Sequence, residues 1–382
     1  MTLKNIILLG ATGSIGKSTL SLIRQKREKF NLIGISAYKN TEQLKLISDE
    51  FNVKNICFFK NDEDIIFNKC TKVMKGQDGL LELASLNCDI VVSGISGLAG
   101  LMPAYTAINN GNNIAIANKE PLVVAGNLLI ECSKKNNVKI LPVDSEHNSI
   151  FQCFDNNFRE NISHITLTAS GGPFLNRPLN NFKDITIEEA LKHPKWEMGK
   201  KISIDSATLI NKALEVIEAG FLFELKANEI NVVIHPESII HGLVHYKDGS
   251  VLANLALPDM ISPLSVAIGY PERYNLDLPE LNLVEVSQLN FSKPDLEKFP
   301  GLNFGWNALN EPNYFSIILN AANEIAVDLF LKKRINFTSI VQIIDKCLNE
   351  QNFNPAIDLD EILEIDKVSR IFAKKISEKF YV

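Results

Sequence analysis

The sequence has no Cys-x-x-Cys pair, although it carries six cysteines, at positions 57, 70, 88, 132, 153 and 347. That scatter gives no zinc site or dithiol redox motif and is too sparse for a disulfide scaffold, so a reducing, cytoplasmic setting is expected. An excess of positive charge is also missing. Lys and Arg number 39 against 45 Asp and Glu, a net charge of −6, which argues against bulk attraction to nucleic acid or an anionic membrane but leaves room for a local phosphate pocket. No run of 18 apolar residues occurs. The uncharged stretch 90–118 is broken by Gly94, Gly97, Gly100, Pro103 and Gly111, and is expected to be a buried strand–helix–strand rather than a membrane span. The N-terminus lacks a basic region, apolar core and cleavage site in series, so no signal peptide is expected. Internal repeats and low-complexity tracts are absent.

What is present is an alternation of short apolar runs and amphipathic stretches over the first 150 residues. Strands are expected at 5–9, 32–36, 55–59, 90–93, 114–117 and 139–143, with helices at 15–25, 41–50, 79–86, 101–109 and 122–136. Continuous apolar strands separated by helices predict a parallel sheet covered on both faces. From 151 to 270 the pattern becomes α+β, with strands at 165–169, 232–234, 239–245 and 251–257, an Asp248-Gly249 hairpin turn, and a long helix over 206–223. Residues 271–305 read as a linker or extended loop, and 306–382 as helical. The expected fold is α/β: an N-terminal Rossmann-like parallel sheet, a central α+β catalytic domain and a C-terminal helical domain.

Gly10-Ala-Thr12-Gly13-Ser14-Ile15-Gly16 follows the first strand and opens the first helix. Glycines there let the backbone approach a pyrophosphate at the helix N-terminus. The second strand ends in Ser36-Ala-Tyr38-Lys39-Asn40, with a cation and no acid. An acid at that point binds the ribose 2′-hydroxyl of NAD, so Lys39 favours NADPH over NADH.

Asp144-Ser145-Glu146 follows the strand at 139–143. In an extended segment Asp144 and Glu146 point the same way and converge on one cation; the same residues also suit the cap of a helix at 147–154. On the helix expected at 206–223, Asn211, Lys212 and Glu215 share a face, with Ser206 near the helix start. A hydroxyl, an amide and an ammonium at a helix N-terminus suit a phosphate monoester, while Lys212 and Glu215 alone also suit a solvated ion pair. Ser170-Gly171-Gly172 offers a further anion-binding nest. With only oxygen ligands on offer, a metal here is expected to be Mg²⁺ or Mn²⁺. The segment His193-Pro-Lys-Trp196-Glu-Met198-Gly199 has neither helical nor strand periodicity and reads as an active-site lid.

These strings, with Ala117-Asn118-Lys119-Glu120 and His235-Pro-Glu-Ser-Ile-Ile-His241, resemble the 1-deoxy-D-xylulose 5-phosphate reductoisomerase family over essentially the full length. The resemblance implies an NADPH- and metal-dependent isomerisation and reduction of 1-deoxy-D-xylulose 5-phosphate to 2-C-methyl-D-erythritol 4-phosphate in non-mevalonate isoprenoid biosynthesis, by a homodimer. It implies cofactor contacts by Thr12, Gly13, Ser14, Ile15, Lys39, Asn40, Asn118, Glu120 and Gly199. It implies metal ligation by Asp144, Glu146 and Glu215, and contact with the reacting end of the substrate by Lys119, Ser145 and Glu146. Ser170, Ser206, Asn211 and Lys212 are implied to hold the phosphate, with His193 closing over it, and Trp196 of the lid is expected to pack over substrate and nicotinamide. Tyr38 stands where the family often has Gly. Sugar and inositol dehydrogenases, which also carry a lysine loop after the fifth strand but need no metal, are the rival enzyme class; an NADP-binding sensor is the non-enzymatic rival.

Overall fold

The computed structural model describes residues 3–59, 66–196 and 198–382. The chain divides into two compact units, each discontinuous in sequence. The first is Met1–Pro121, Leu128–Asn148 and Asp259–Glu280; the second is Leu122–Asn127, Ser149–Pro258 and Leu281–Val382. This partition follows packing and differs from the contiguous blocks drawn along the sequence. Residues 259–280 return to the first unit, where helix Ile261–Gly269 packs on helix Ser14–Gln25. Lys4 Nζ donates to the carbonyls of Gly269 and Tyr270, at 2.9 Å each.

Among the described residues the first unit holds seven strands: β1 (Lys4–Leu9), β2 (Phe30–Ala37), β3 (Asn55–Phe58), β4 (Lys72–Lys75), β5 (Ile90–Ser93), β6 (Asn113–Ile116) and β7 (Ile140–Pro142). They lie in the order β4-β3-β2-β1-β5-β6-β7, all parallel. Ile6 to Leu9 of β1 and Ile90 to Val92 of β5 are buried, because both faces of a parallel sheet are covered by crossover helices. The uncharged stretch 90–118 is β5, helix Leu101–Asn109 and β6, as expected. β4 was not expected: Lys72-Val-Met-Lys75 is an edge strand that buries only Met74, so it lacks the apolar run that marks its neighbours.

The second unit holds β8 (Ile162–Ala169), β9 (Ile230–Ile234), β10 (Ile240–Tyr246) and β11 (Val251–Leu255), in the order β11-β10-β8-β9. Asp248-Gly249 turns the β10–β11 hairpin, with Gly249 at φ +89°. The helix expected at 206–223 is two helices, Lys200–Ala207 and Ile210–Leu222. Leu209 adopts the left-handed conformation, φ +58°, and Thr208 Oγ1 turns back to the carbonyls of Ile204 and Asp205 at 3.1 Å. Residues 281–305 are largely irregular and tied down by Ser292, which exchanges two backbone hydrogen bonds with Ile234 at 2.8 and 3.0 Å. Helix Tyr314–Leu331 is, among the described residues, the one helix long and apolar enough to cross a membrane, but 61% of it is buried. Its packing against helices Phe337–Glu350 and Leu359–Ser377 makes it the core of the helical layer.

Candidate active site

The glycine turn lies at the head of β1. Gly10 has φ +82°, and a Cβ there would sit 2.8 Å from Gly94 O. A Cβ on Gly16 would meet the Ala11 carbonyl carbon and oxygen at 2.4 Å. The backbone is therefore packed too closely for any side chain, and Gly13, Ser14 and Ile15 form the open lip where helix Ser14–Gln25 begins. The Ala11 N–H donates to Ser36 O at 2.8 Å, and the Gly10 N–H to Ser36 Oγ at 3.1 Å, which ties the turn to the end of β2. Just beyond, Lys39 is exposed and Asn40 caps helix Thr41–Phe51 by accepting from Gln43 N–H at 3.2 Å.

Asn118, Lys119 and Glu120 follow β6 and are all buried. Ser93 Oγ donates to Asn118 Oδ1 at 3.1 Å. Lys119 Nζ lies 2.5 Å from Asp144 Oδ2. Asp144, Ser145 and Glu146 are not in an extended segment. Ser145 opens helix Ser145–Cys153, and the Asp144 carbonyl accepts from Asn148 N–H at 2.8 Å. Asp144 precedes the helix while Ser145 and Glu146 occupy its first turn, so the helical turn rather than an extended strand brings carboxylate oxygens of Asp144 and Glu146 within 4.8 Å of each other. Ser145 Oγ donates to Glu146 Oε2 at 2.6 Å. The Asp144 carbonyl accepts the first helical hydrogen bond, while its carboxylate pairs with Lys119.

The second unit supplies the other named residues. Ser170 ends the β8 loop, and Gly171 and Gly172 have φ +85° and +67°. A Cβ on Gly172 would lie 2.8 Å from Ser206 O, so the nest and Ser206 are in contact. Ser206 is in the last turn of helix Lys200–Ala207, not near a helix start. The helix that starts is Ile210–Leu222, which places Asn211 and Lys212 in its first turn, where the helix dipole favours an anion. Asn211 Nδ2 donates to Glu215 Oε1 at 2.5 Å, and Lys212 forms a buried ion pair with Glu215. The expected common face is thus present, and Thr208 and Leu209, which create it, carry no sequence signal: leucine rarely adopts a left-handed conformation.

His193 Nδ1 accepts the backbone N–H groups of Lys195 and Trp196 at 3.2 and 3.0 Å. That fixes the tautomer: the proton sits on Nε2, which donates to Ser170 Oγ at 3.0 Å. Trp196 is half-buried, with its ring 6.2 Å from His241. Gly199 is exposed and precedes helix Lys200–Ala207. Glu197 of the expected lid lies outside the described residues.

A glycine cradle at the head of a twisted parallel sheet, next to a strand end bearing a cation, is where α/β enzymes seat a dinucleotide. The first unit therefore defines a dinucleotide-dependent enzyme.

Comparison with known proteins specifies the class. Residues 6–126 match the 1-deoxy-D-xylulose 5-phosphate reductoisomerase family, and residues 140–223 and 255–372 match the two C-terminal domain families of the same enzyme. The 1-deoxy-D-xylulose 5-phosphate reductoisomerase of Clostridium botulinum strain 657 is 46% identical, covering 98% of this chain and 99% of that protein. The enzyme of Thermoanaerobacter pseudethanolicus is 44% identical over 99% and 100%. The solved Zymomonas mobilis enzyme in complex with NADPH superposes with a TM-score of 0.92 at 36% identity, covering 99% and 100%. A DOX-P reductoisomerase in complex with NADPH, fosmidomycin and magnesium gives 0.92 at 39% identity, covering 98% of each chain. The chain belongs to the 1-deoxy-D-xylulose 5-phosphate reductoisomerase family.

Proposed function

We propose that the two sets of residues described above serve the family's reaction. The chain is an NADPH- and Mg²⁺-dependent oxidoreductase that isomerises 1-deoxy-D-xylulose 5-phosphate and reduces it to 2-C-methyl-D-erythritol 4-phosphate, for isoprenoid biosynthesis. The full-length relationship carries this reading. The local geometry supports it: a glycine turn so tight that a Cβ on Gly16 would lie 2.4 Å from the Ala11 carbonyl, and a donor set of carboxylates, which fits a hard cation such as Mg²⁺ or Mn²⁺.

In this reading residues 1–150, with 259–280 packed on them, form the NADPH domain, 151–258 the catalytic domain with its lid, and 281–305 the connection to the helical domain at 306–382. Thr12, Gly13, Ser14 and Ile15 hold the pyrophosphate, Lys39 and Asn40 the 2′-phosphate, and Asn118, Glu120 and Gly199 further parts of the cofactor. Asp144, Glu146 and Glu215 hold the metal. The bound cation supplies Lewis-acid charge to the substrate's carbonyl and neighbouring hydroxyl, and the nicotinamide supplies hydride.

The chain's own residues do the rest. Lys119, paired with Asp144 at 2.5 Å, neutralises that carboxylate and holds a proton at Nζ for the reacting end of the substrate. Ser145 orients Glu146 through its 2.6 Å hydrogen bond. Ser170, Ser206 and Asn211 give the phosphate neutral donors, and Lys212 shares its charge between Glu215 and the phosphate. Since Nδ1 of His193 is an acceptor, its Nε2–H donates toward Ser170 and the phosphate beside it. Trp196 covers the substrate and excludes water. The enzyme works as a homodimer in the cytoplasm.

The test is NADPH consumption on addition of 1-deoxy-D-xylulose 5-phosphate, with and without a chelator. Substrate-dependent oxidation lost on chelation and restored by Mg²⁺ is expected. Turnover indifferent to the chelator would instead favour a metal-free sugar dehydrogenase.

A further inference from the structure

Tyr38 is the residue that neither the glycine turn nor the phosphate contacts use. It follows β2 directly and is 61% exposed, an uncommon position for a large aromatic ring with no core role. Its place is fixed all the same. The Tyr38 carbonyl accepts from Phe59 N–H at 3.0 Å, and its ring lies 5.7 Å from that of half-buried Phe59, tilted by 37°. Two aromatic rings therefore stand together at the ends of β2 and β3.

The sheet order gives that position a meaning. The glycine turn lies at the end of β1, Lys39 at the end of β2, and β3 is the next strand outward. A dinucleotide whose pyrophosphate sits on the turn and whose 2′-phosphate meets Lys39 runs its adenosine half toward the ends of β2 and β3. The part that follows the ribose is a flat heteroaromatic base, and bases stack on exposed aromatic rings.

We propose that Tyr38, backed by Phe59, is the stacking platform for the adenine of NADPH. This inference rests on the cofactor reading above. Tyr38 contributes binding to the adenosine half alone and touches no reacting atom, so it sets cofactor affinity while leaving hydride transfer unchanged.

The test is calorimetric titration of the full chain and of Tyr38→Ala and Tyr38→Phe with NADPH and with 2′,5′-ADP, which carries the adenosine half only. Removing a base-stacking ring weakens binding by roughly 10-fold or more, and that loss is expected for Tyr38→Ala with both ligands. Tyr38→Phe, which keeps the ring, should bind both like the parent. An exposed side chain contributes little to the core, so Tyr38→Ala should melt with the parent. Equal affinity of Tyr38→Ala and the parent for 2′,5′-ADP would overturn the platform while leaving the cofactor reading intact. A parent chain that binds neither ligand would overturn both.

Discussion

Gly172→Ala probes whether the nest after β8 and the start of helix Ile210–Leu222 act together on an anion. Gly172 has φ +67°, and its added Cβ would lie 2.8 Å from Ser206 O and 3.3 Å from Ala207 Cα. The left-handed conformation alone costs a non-glycine residue about 1–2 kcal/mol. The close approach adds to this, because both atoms it meets are backbone and neither can rotate away. Gly249→Ala is the control: φ is +89° and nothing lies within 4 Å of the added Cβ, so it carries the conformational cost only. Each kcal/mol lowers Tm by roughly 2–4 °C in a domain of this size. Gly172→Ala is expected to melt below Gly249→Ala by a few degrees. Because the nest must move off Ser206 to relieve the contact, KM for the phosphorylated substrate should rise about 10-fold, the loss of roughly one charge-assisted hydrogen bond. NADPH affinity should be unchanged. Equal melting of the two variants together with an unaltered KM would refute the reasoning.

Lys212→Met should weaken substrate and phosphonate-inhibitor binding, by on the order of 1.5–3 kcal/mol, and spare NADPH; unchanged inhibitor affinity would remove Lys212 from the phosphate site. Lys39→Ala should lose about 10-fold in affinity for NADPH with little change for NADH, read by titrating each cofactor. His245 stacks on His164 across β8 and β10 at 4.1 Å, and its pKa is lowered first by burial and then by the charge of His164. The unfolded chain protonates that ring near the ordinary 6.5 while the folded chain resists, so stability is full above that pH and is lost as pH falls below it. His245→Gln should flatten the acid side of the Tm–pH profile, and an unaltered profile would show that other groups control it.

Legibility in the sequence followed burial. β1, β5 and β6 announce themselves because both faces are covered, so each carries an uninterrupted apolar run of three or four residues. β4 is an edge strand of Lys-Val-Met-Lys with one buried side chain, and pattern alone cannot separate that from loop. Asn211, Lys212 and Glu215 could be placed on one face because helical spacing is local. The break before them could not, since Leu209 takes a left-handed conformation against its own preference and is held there by packing and by Thr208. Asp144 and Glu146 were expected on an extended segment, but the strand ends one residue sooner than its apolar run suggests, and a helix begins at Ser145. Residues 259–280 belong with the first unit through contacts with helix Ser14–Gln25, a long-range pairing that composition does not signal.

The account's central claim is that Asp144, Glu146 and Glu215 hold one divalent cation. Electron paramagnetic resonance titration with Mn²⁺ reads that directly, without turnover. The account predicts one tight Mn²⁺ per chain, weakened by about 10-fold or more in each of Asp144→Asn, Glu146→Gln and Glu215→Gln, because each removes a charged oxygen ligand from a site that relies on them for its affinity. Mn²⁺ binding by Glu215→Gln indistinguishable from that of the parent chain would contradict it.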